Sequence, residues 1–448
     1  MGRTSYTLRC LSPVHVGTGR QFTKFDGVYH ERRWYVIDLD RVLMHGVDAT
    51  VLARDMSERA FTWSAWLGGR AIAPSDVSAY DLPCPQDPEE TPVREAMKDV
   101  YGKPYVPGSS IKGAMRTAIL WRLLHSDVEH QEFVRRYVLL CLKATELLDW
   151  LRERRAFDRP EEHRVALAEI FRVRHDEAGA LQRTLYRILH VDERRLQSER
   201  NTFRKRLQRL GRSREWLAEP LERALLGHDP NHDLLRALQV SDTRPVDLDR
   251  LAVGLVWTYT QRGRQLVEKR EEDGEYKVFA EWLVPETTLE FELHTDDFLF
   301  TDAAERELHF QGAKEDALRQ LAHTCNEYAR AVISSERAFF SERGPGSIAD
   351  FYAELEAMLR DLAEGAFLLN IGWGGGWEMK TIGDLLRRVL SPEEFAQLRQ
   401  RYGLGEDPRT HRLDPEGLFP HSRRIAYEGG APMYPLGWMR VEPKGGRG

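Results

Sequence analysis

The chain has 448 residues, 42% of them hydrophobic and 30% charged, with 65 basic against 71 acidic side chains and a formal net charge of −6. That hydrophobic fraction, with 11 tryptophans, excludes a disordered polypeptide. The acidic balance excludes an indiscriminate polyanion binder but leaves room for a local basic groove, and the length suits two domains or more at roughly 100 to 200 residues each.

Tyr6, Leu8 and Cys10 alternate with polar neighbours, which predicts a half-buried strand. A loop broken by Pro13, Gly17 and Gly19 follows, carrying His15, Thr18, Arg20 and Lys24. Val28 and Tyr29, then Trp34, Val36 and Ile37 across the Glu31-Arg32 pair, predict a hairpin. Residues 38 to 59 read as mainly helical with Asp40 as a cap, and the proline- and acid-rich stretch from Pro74 to Pro92 reads as a solvated loop. Pro107, Gly108, Ser109 and Ser110 supply a turn and an N-cap, after which Ile111, Met115, Ala118, Ile119 and Leu123 mark one helix face. Lys112 and Arg116, four apart, share a second face near the helix start, where hydroxyls, free amides and two cations meet. The Gly-Lys-Ser/Thr order of a Walker A loop is missing, so ATP hydrolysis is not inferred. The same residues also fit a capped helix with a solvated basic face.

From Glu129 to Leu235 the pattern is helical and highly charged, with apolar faces through Phe133 to Leu151 and Phe203 to Leu210. The second face sits in a basic run from Arg200 to Arg214, tempered by Asp192, Glu193, Glu199 and Glu215, which suits RNA phosphates, a protein partner or plain solvation. Strand periods return at Leu238 to Val240, Val253 to Tyr259, Val278 to Val284 and Leu289 to Leu293. Helices are expected over 314–340 and 348–364. The chain then enters Asn370 to Lys380, where Gly372, Gly374, Gly375 and Gly376 interleave with Trp373 and Trp377 ahead of Lys380. Such a backbone adopts positive φ and lets a ligand approach closely, and helical spacing resumes from Ile382. It reads as a turn between core elements or as an anion site on free helix amides.

His15 is the best-placed acid–base group, yet no second catalytic side chain stands at a recognisable spacing from it. His228 and His232, with Asp229 and Asp233, resemble a metal cluster in composition, but Pro230 keeps the histidines off one helix face. No metal, no cofactor and no catalytic residue are expected. The four cysteines, Cys10, Cys84, Cys141 and Cys325, are widely separated, which fits reduced thiols rather than a disulfide framework. No apolar run approaches the roughly 20 residues of a transmembrane helix, and the first residues lack a signal's apolar stretch. A cytoplasmic protein with no membrane partner is expected.

Four local matches carry a resemblance, Pro13 to Gly19, Tyr105 to Thr117, Val240 to Thr243 and Gly372 to Thr381, and the pieces Phe419 to Arg424 and Pro435 to Trp438 also fit it. In this order they resemble the RAMP superfamily of CRISPR RNA-binding proteins, and more narrowly the family of fifth Csm subunits of type III-A effector complexes. The resemblance implies an α+β chain with two RAMP domains, ferredoxin-like and RRM-related, and a helical insertion. The boundaries are residues 1–128 for the N-terminal domain, 129–235 for the insertion and 236–448 for the C-terminal domain. It also implies a non-catalytic ribonucleoprotein subunit of antiviral defence that binds CRISPR RNA, caps the backbone filament toward the guide's 3′ end and supports guide maturation. Implied partners are sibling Csm subunits, the backbone RAMP subunit above all, and host nucleases that trim the 3′ end. The expected RNA-binding residues are His15, Arg20, Lys24, Ser109, Ser110, Lys112, Arg116, Gly372, Trp373, Gly374, Gly375, Gly376 and Lys380, with either tryptophan stacking on a base or pinning the loop to the core. The alternatives are a RAMP endoribonuclease using His15 as acid or base on precursor CRISPR RNA, and a structural adaptor docking protein subunits.

Overall fold

Two large sheets carry the fold, and each takes strands from both ends of the chain. The computed structural model describes residues 3–213, 219–271, 274–407 and 411–444; Arg214 and Glu215 of the basic run lie outside them. The five-stranded sheet runs, in spatial order, Phe367–Asn370, Trp438–Pro443, Thr4–Cys10, Thr288–Thr295 and Leu238–Val240. Its central strand is the predicted one, with Leu8 and Cys10 fully buried and Leu8 paired to Leu289 on one side and Val441 on the other. The seven-stranded sheet runs Ala431–Pro435, Ser422–Glu428, Leu251–Arg262, Lys277–Leu283, Val93–Ala96 and Gly17–Phe22, with Gln265–Glu268 also paired to Leu251–Arg262. It is antiparallel except where Val93–Ala96 meets Lys277–Leu283.

A three-stranded sheet of Gly27–His30, Arg33–Ile37 and Ser78–Pro83 has a small core of its own with Val42, Leu52, Trp63 and Trp66. Its hairpin turns on Glu31 and Arg32, both at positive φ (47° and 61°), as a two-residue hairpin turn requires. Two expectations are corrected in this lobe. The helix cap is Asp38, whose carboxylate accepts from the Asp40 and Arg41 amides, and not Asp40. The proline-rich stretch also contains the strand Ser78–Pro83, which tolerates proline because it lies at the edge of its sheet.

After the helix Gly108–Ser126 the chain runs through the helices Val128–Glu153, Pro160–Phe171, His175–Leu189, Leu196–Arg212 and Glu219–Leu226. Their apolar stripes, including Tyr137, Ala144, Leu148, Phe203 and Leu207, join the same core as the two large sheets. Much of the basic run faces its own neighbours: Arg206 donates to the carbonyls of Leu189 and His190, and Arg200 and Arg209 lie near Asp158 and Glu219. The helix expected over 314–340 is two, Ala313–Arg319 and Leu321–Arg343, broken at Gln320, and the next is Gly346–Arg360. All four cysteines are buried free thiols. Among the described residues no helix is long and apolar enough to cross a membrane.

Candidate nucleic-acid interface

Three turns, far apart in the chain, are tied together by backbone hydrogen bonds. The Trp373 amide donates to His15 O at 2.8 Å, Ile371 N to Gly437 O at 2.8 Å, and Gly437 N to Pro13 O at 2.9 Å, while Val14 and Leu283 exchange bonds at 3.1 and 2.9 Å. The glycines make this approach possible. At Gly372 (φ 81°) a β-carbon would stand 2.3 Å from His15 O, and at Gly374 (φ 107°) it would stand 2.9 Å from the Leu436 side chain. Asn370 Nδ2 closes the knot on Leu436 O at 2.8 Å.

The loop holds Trp373 on the face of the seven-stranded sheet that points away from the main core. Val253, Leu255 and Trp257 serve that core, whereas Val256, Trp282, Ala426 and Leu436 form a smaller cluster against which Trp373 packs. The period-2 rule places Arg424 on this second face opposite Thr258, and Arg94 opposite Ala280, itself paired with Gly254. Both guanidiniums lie over the Trp373 indole, 4.6 Å (Arg94) and 4.8 Å (Arg424) from its centroid. Among the described residues neither is ion-paired, and Arg424 is exposed. Burial, with Arg94 beside it, lowers the Arg424 value from its ordinary one. Its neighbour Arg423 is the opposite case: it grips the buried Glu336 through Nε at 2.8 and 3.1 Å and Nη2 at 2.7 Å. A cleft of about 220 Å³ lined by Gly374, Gly375, Gly376, Trp377, Arg423 and Arg424 opens beside the loop. Guanidiniums over an indole, next to a glycine backbone, have the chemistry that takes phosphate and base.

The remaining predicted residues fall into different settings. His15 is 2% exposed, and its Nδ1 donates to the Glu281 carbonyl at 2.6 Å while its ring meets Trp373 edge-on. Burial, helped by Arg94 and Lys98 against that carbonyl bond, lowers its pKa, which favours the neutral ring. Lys380 is turned back on the loop, donating to Asn370 O at 2.7 Å, and burial of its amine end lowers it to about 8 although the residue as a whole is exposed. The helix that follows the glycines, Gly376–Lys380, is only 5 residues long, and the next is Gly383–Val389. Arg20 is exposed and 3.3 Å from Asp26, and Lys24 lies over the Phe25 ring.

Ser109 and Ser110 begin the helix Gly108–Ser126 but do not cap it. Asp242 does so instead, accepting from Gly108 N at 2.7 Å, while Val106 and Thr243 exchange bonds at 2.9 and 3.0 Å. Arg116 is committed to Asp233 at 2.8 Å and Glu222 at 3.2 Å. Lys112 lines an open cavity with these same groups, and burial lowers its pKa, with Asp233 opposing and Arg116 reinforcing. The sequence did not point to Arg94 at all, because its meeting with Trp373 depends on strand pairing across the sheet.

The family model of the RAMP superfamily matches residues 7–380. The "CRISPR system Cms protein Csm5" of Streptococcus thermophilus is 25% identical over 131 residues, 25% of this chain and 37% of that relative; the protein of the same name from Mycobacterium tuberculosis (strain CDC 1551 / Oshkosh) is 25% identical over 145 residues, 27% and 39%. The chain thus aligns with less than half the length of these relatives. Two solved structures share the fold nearly end to end. One is a chain of the cryo-EM structure of a Csm-crRNA-target RNA ternary complex of a type III-A CRISPR-Cas system (TM-score 0.62, 24% identity, 98% of this chain and 100% of that one). The other is the crystal structure of T. onnurineus Csm5 (TM-score 0.54, 22% identity, 97% and 99%). With its match spanning most of the chain and its α+β sheets shared with both structures, the chain belongs to the RAMP superfamily.

Proposed function

We propose that the protein is a non-catalytic RNA-binding subunit of a type III-A CRISPR effector complex, of the Csm5 kind, acting in the cytoplasm. In this reading it binds CRISPR RNA and sibling Csm subunits, above all the backbone RAMP subunit, caps the filament toward the guide's 3′ end and supports maturation by host nucleases. The division at residues 128 and 235 belongs to the same proposal. Superfamily membership and the Csm5 relatives support the reading. The observation that carries it is the Trp373 indole under two guanidiniums that, among the described residues, have no acidic partner. Arg94 and Arg424 hold phosphates and Trp373 stacks a base, while Gly372, Gly374, Gly375 and Gly376 give the backbone room. Arg20, Lys24, Ser109, Ser110 and Lys112 extend the RNA path, and His15, Lys380 and Arg116 act from behind by fixing the elements that carry it.

The test is binding of a labelled single-stranded guide RNA by fluorescence anisotropy over a salt series. Each phosphate contact on a single strand contributes about 0.7 to the slope of log affinity against log salt, so Arg94→Ala/Arg424→Ala flattens the slope by about 1.4. Trp373→Ala weakens binding by about 1 to 3 kcal/mol at every salt. An unchanged slope in the double variant removes both arginines from the RNA surface. Incubation with precursor RNA in EDTA reads the endoribonuclease alternative: cleavage products that vanish in His15→Ala would overturn the non-catalytic reading.

A further inference from the structure

The turn after the last helix of the insertion gathers two imidazoles around one carboxylate. Gly227, at φ 140°, lets the chain fold back so tightly that a β-carbon there would stand 1.9 Å from His232 O. Asp229 Oδ1 then accepts from the amides of Asn231 (2.8 Å) and His232 (3.1 Å). The proline that keeps the histidines off a common helix thus places them on one side of a turn. His228 Nε2 is 3.1 Å from Asp229 Oδ2, His232 Nδ1 is 2.9 Å from Asp229 Oδ1, and the two rings stack with centroids 4.2 Å apart. One ligand atom from each of the three residues lies within 4.8 Å of the others.

We propose that His228, Asp229 and His232 bind a divalent transition-metal ion of the zinc type. Metal–ligand distances of about 2.0 to 2.1 Å give a tetrahedral edge of roughly 3.3 Å. His228 at 3.1 Å from Oδ2 and His232 at 2.9 Å from Oδ1 of Asp229 are each within a few tenths of an ångström of it, to different oxygens of the carboxylate, so one histidine shifts to share the oxygen that binds. Closing the histidine–histidine side takes a ring rotation. Two nitrogens and one oxygen suit Zn²⁺ and its neighbours and disfavour the all-oxygen preference of Mg²⁺ and Ca²⁺. His228 is exposed and the other two half-buried, so solvent supplies the fourth ligand. The site has a structural consequence. Asp233, the residue after His232, caps the next turn at Leu235 N and holds Arg116 of the helix Gly108–Ser126. A metal on the turn therefore clamps the end of the helical segment to the helix that packs on the sheets, independently of any RNA contact.

The experiment uses untagged full chain, stripped with chelator and titrated with Zn²⁺ against a chromophoric competitor, with thermal melting in parallel. One equivalent binds and raises the melting temperature, and Mg²⁺ does neither. His232→Ala and Asp229→Asn each lose at least about tenfold in affinity, since even groups that merely orient a metal ligand are worth that much. Should His232→Ala misfold by circular dichroism, Asp229→Asn decides, because asparagine keeps the turn's side-chain acceptor. Absence of a stoichiometric Zn²⁺ site, or a site that survives Asp229→Asn unchanged, overturns the proposal.

Discussion

Replacing Gly372 with alanine isolates what the glycine loop does. At φ 81° a β-carbon incurs the left-handed penalty of about 1 to 2 kcal/mol. That carbon would also lie 2.3 Å from His15 O, 3.0 Å from His15 C and 3.2 Å from Val16 Cγ2, so backbone has to move. Overpacking of this kind costs about 1 to 3 kcal/mol, and losing the 2.8 Å bond from Trp373 N to His15 O adds about 0.5 to 1.5. Gly376 is the internal control: φ is 64° but nothing lies within 4 Å of the added carbon, so only the conformational penalty applies. Urea unfolding therefore places Gly372→Ala roughly 1.5 to 4.5 kcal/mol below Gly376→Ala, the sum of the overpacking and hydrogen-bond losses, at an unchanged m-value. In guide-RNA anisotropy the first variant also binds more weakly, because Trp373 leaves its place beneath Arg94 and Arg424. Equal stabilities for the two variants would refute the claim that close backbone contact with His15 is what glycine is needed for.

Further outcomes follow from the buried charges. Lys98, 8% exposed in its side chain, pairs with the fully buried Glu281, so Lys98→Met strands a carboxylate and lowers stability by about 3 to 5 kcal/mol at neutral pH. Burial pushes the Glu281 carboxyl up, with Lys98 pulling it back. Without Lys98 the folded protein holds that proton more tightly than the unfolded chain, so the deficit in denaturant unfolding shrinks on acidification and grows as pH rises through the carboxylate range. Lys380 titrates at about 8 in the fold against a higher value unfolded. Between those values the unfolded chain carries the extra proton, so stability gains with rising pH above about 8, and Lys380→Met removes that gain from the pH–stability profile. A wild-type profile that falls over the same interval relative to Lys380→Met would contradict the buried amine.

Local patterns were legible and non-local meetings were not. The strand at Tyr6 to Cys10, the hairpin on Glu31-Arg32 and the helical insertion follow from periodicity and turn chemistry within a few residues. The strands Ser422–Glu428, Ala431–Pro435 and Trp438–Pro443 carry proline and arginine with glycines between them and look like a tail, yet Ser422–Glu428 pairs with Leu251–Arg262 and Trp438–Pro443 with Thr4–Cys10. The glycine loop advertised itself, while its cationic partner Arg94 sat in an unremarkable strand. Arg116, a promising phosphate ligand by its place on the helix, turned out neutralised by Asp233 and Glu222, acids 117 and 106 residues away in sequence. Pro230, which argued against bringing His228 and His232 together on a helix, instead helps shape the turn on which they meet.

The strand Thr4–Cys10 lies between Trp438–Pro443 and Thr288–Thr295, so the middle of the five-stranded sheet pairs only with strands that follow it far along the chain. During synthesis both its edges stay open, templates for wrong pairing, until those later strands have been made. Gly437, whose N–H donates to Pro13 O and whose carbonyl accepts from Ile371 N, likewise follows both partners in sequence. Assembly of the Trp373 platform therefore waits on long-range pairing: until Gly437 docks, the tie that closes the three turns is missing.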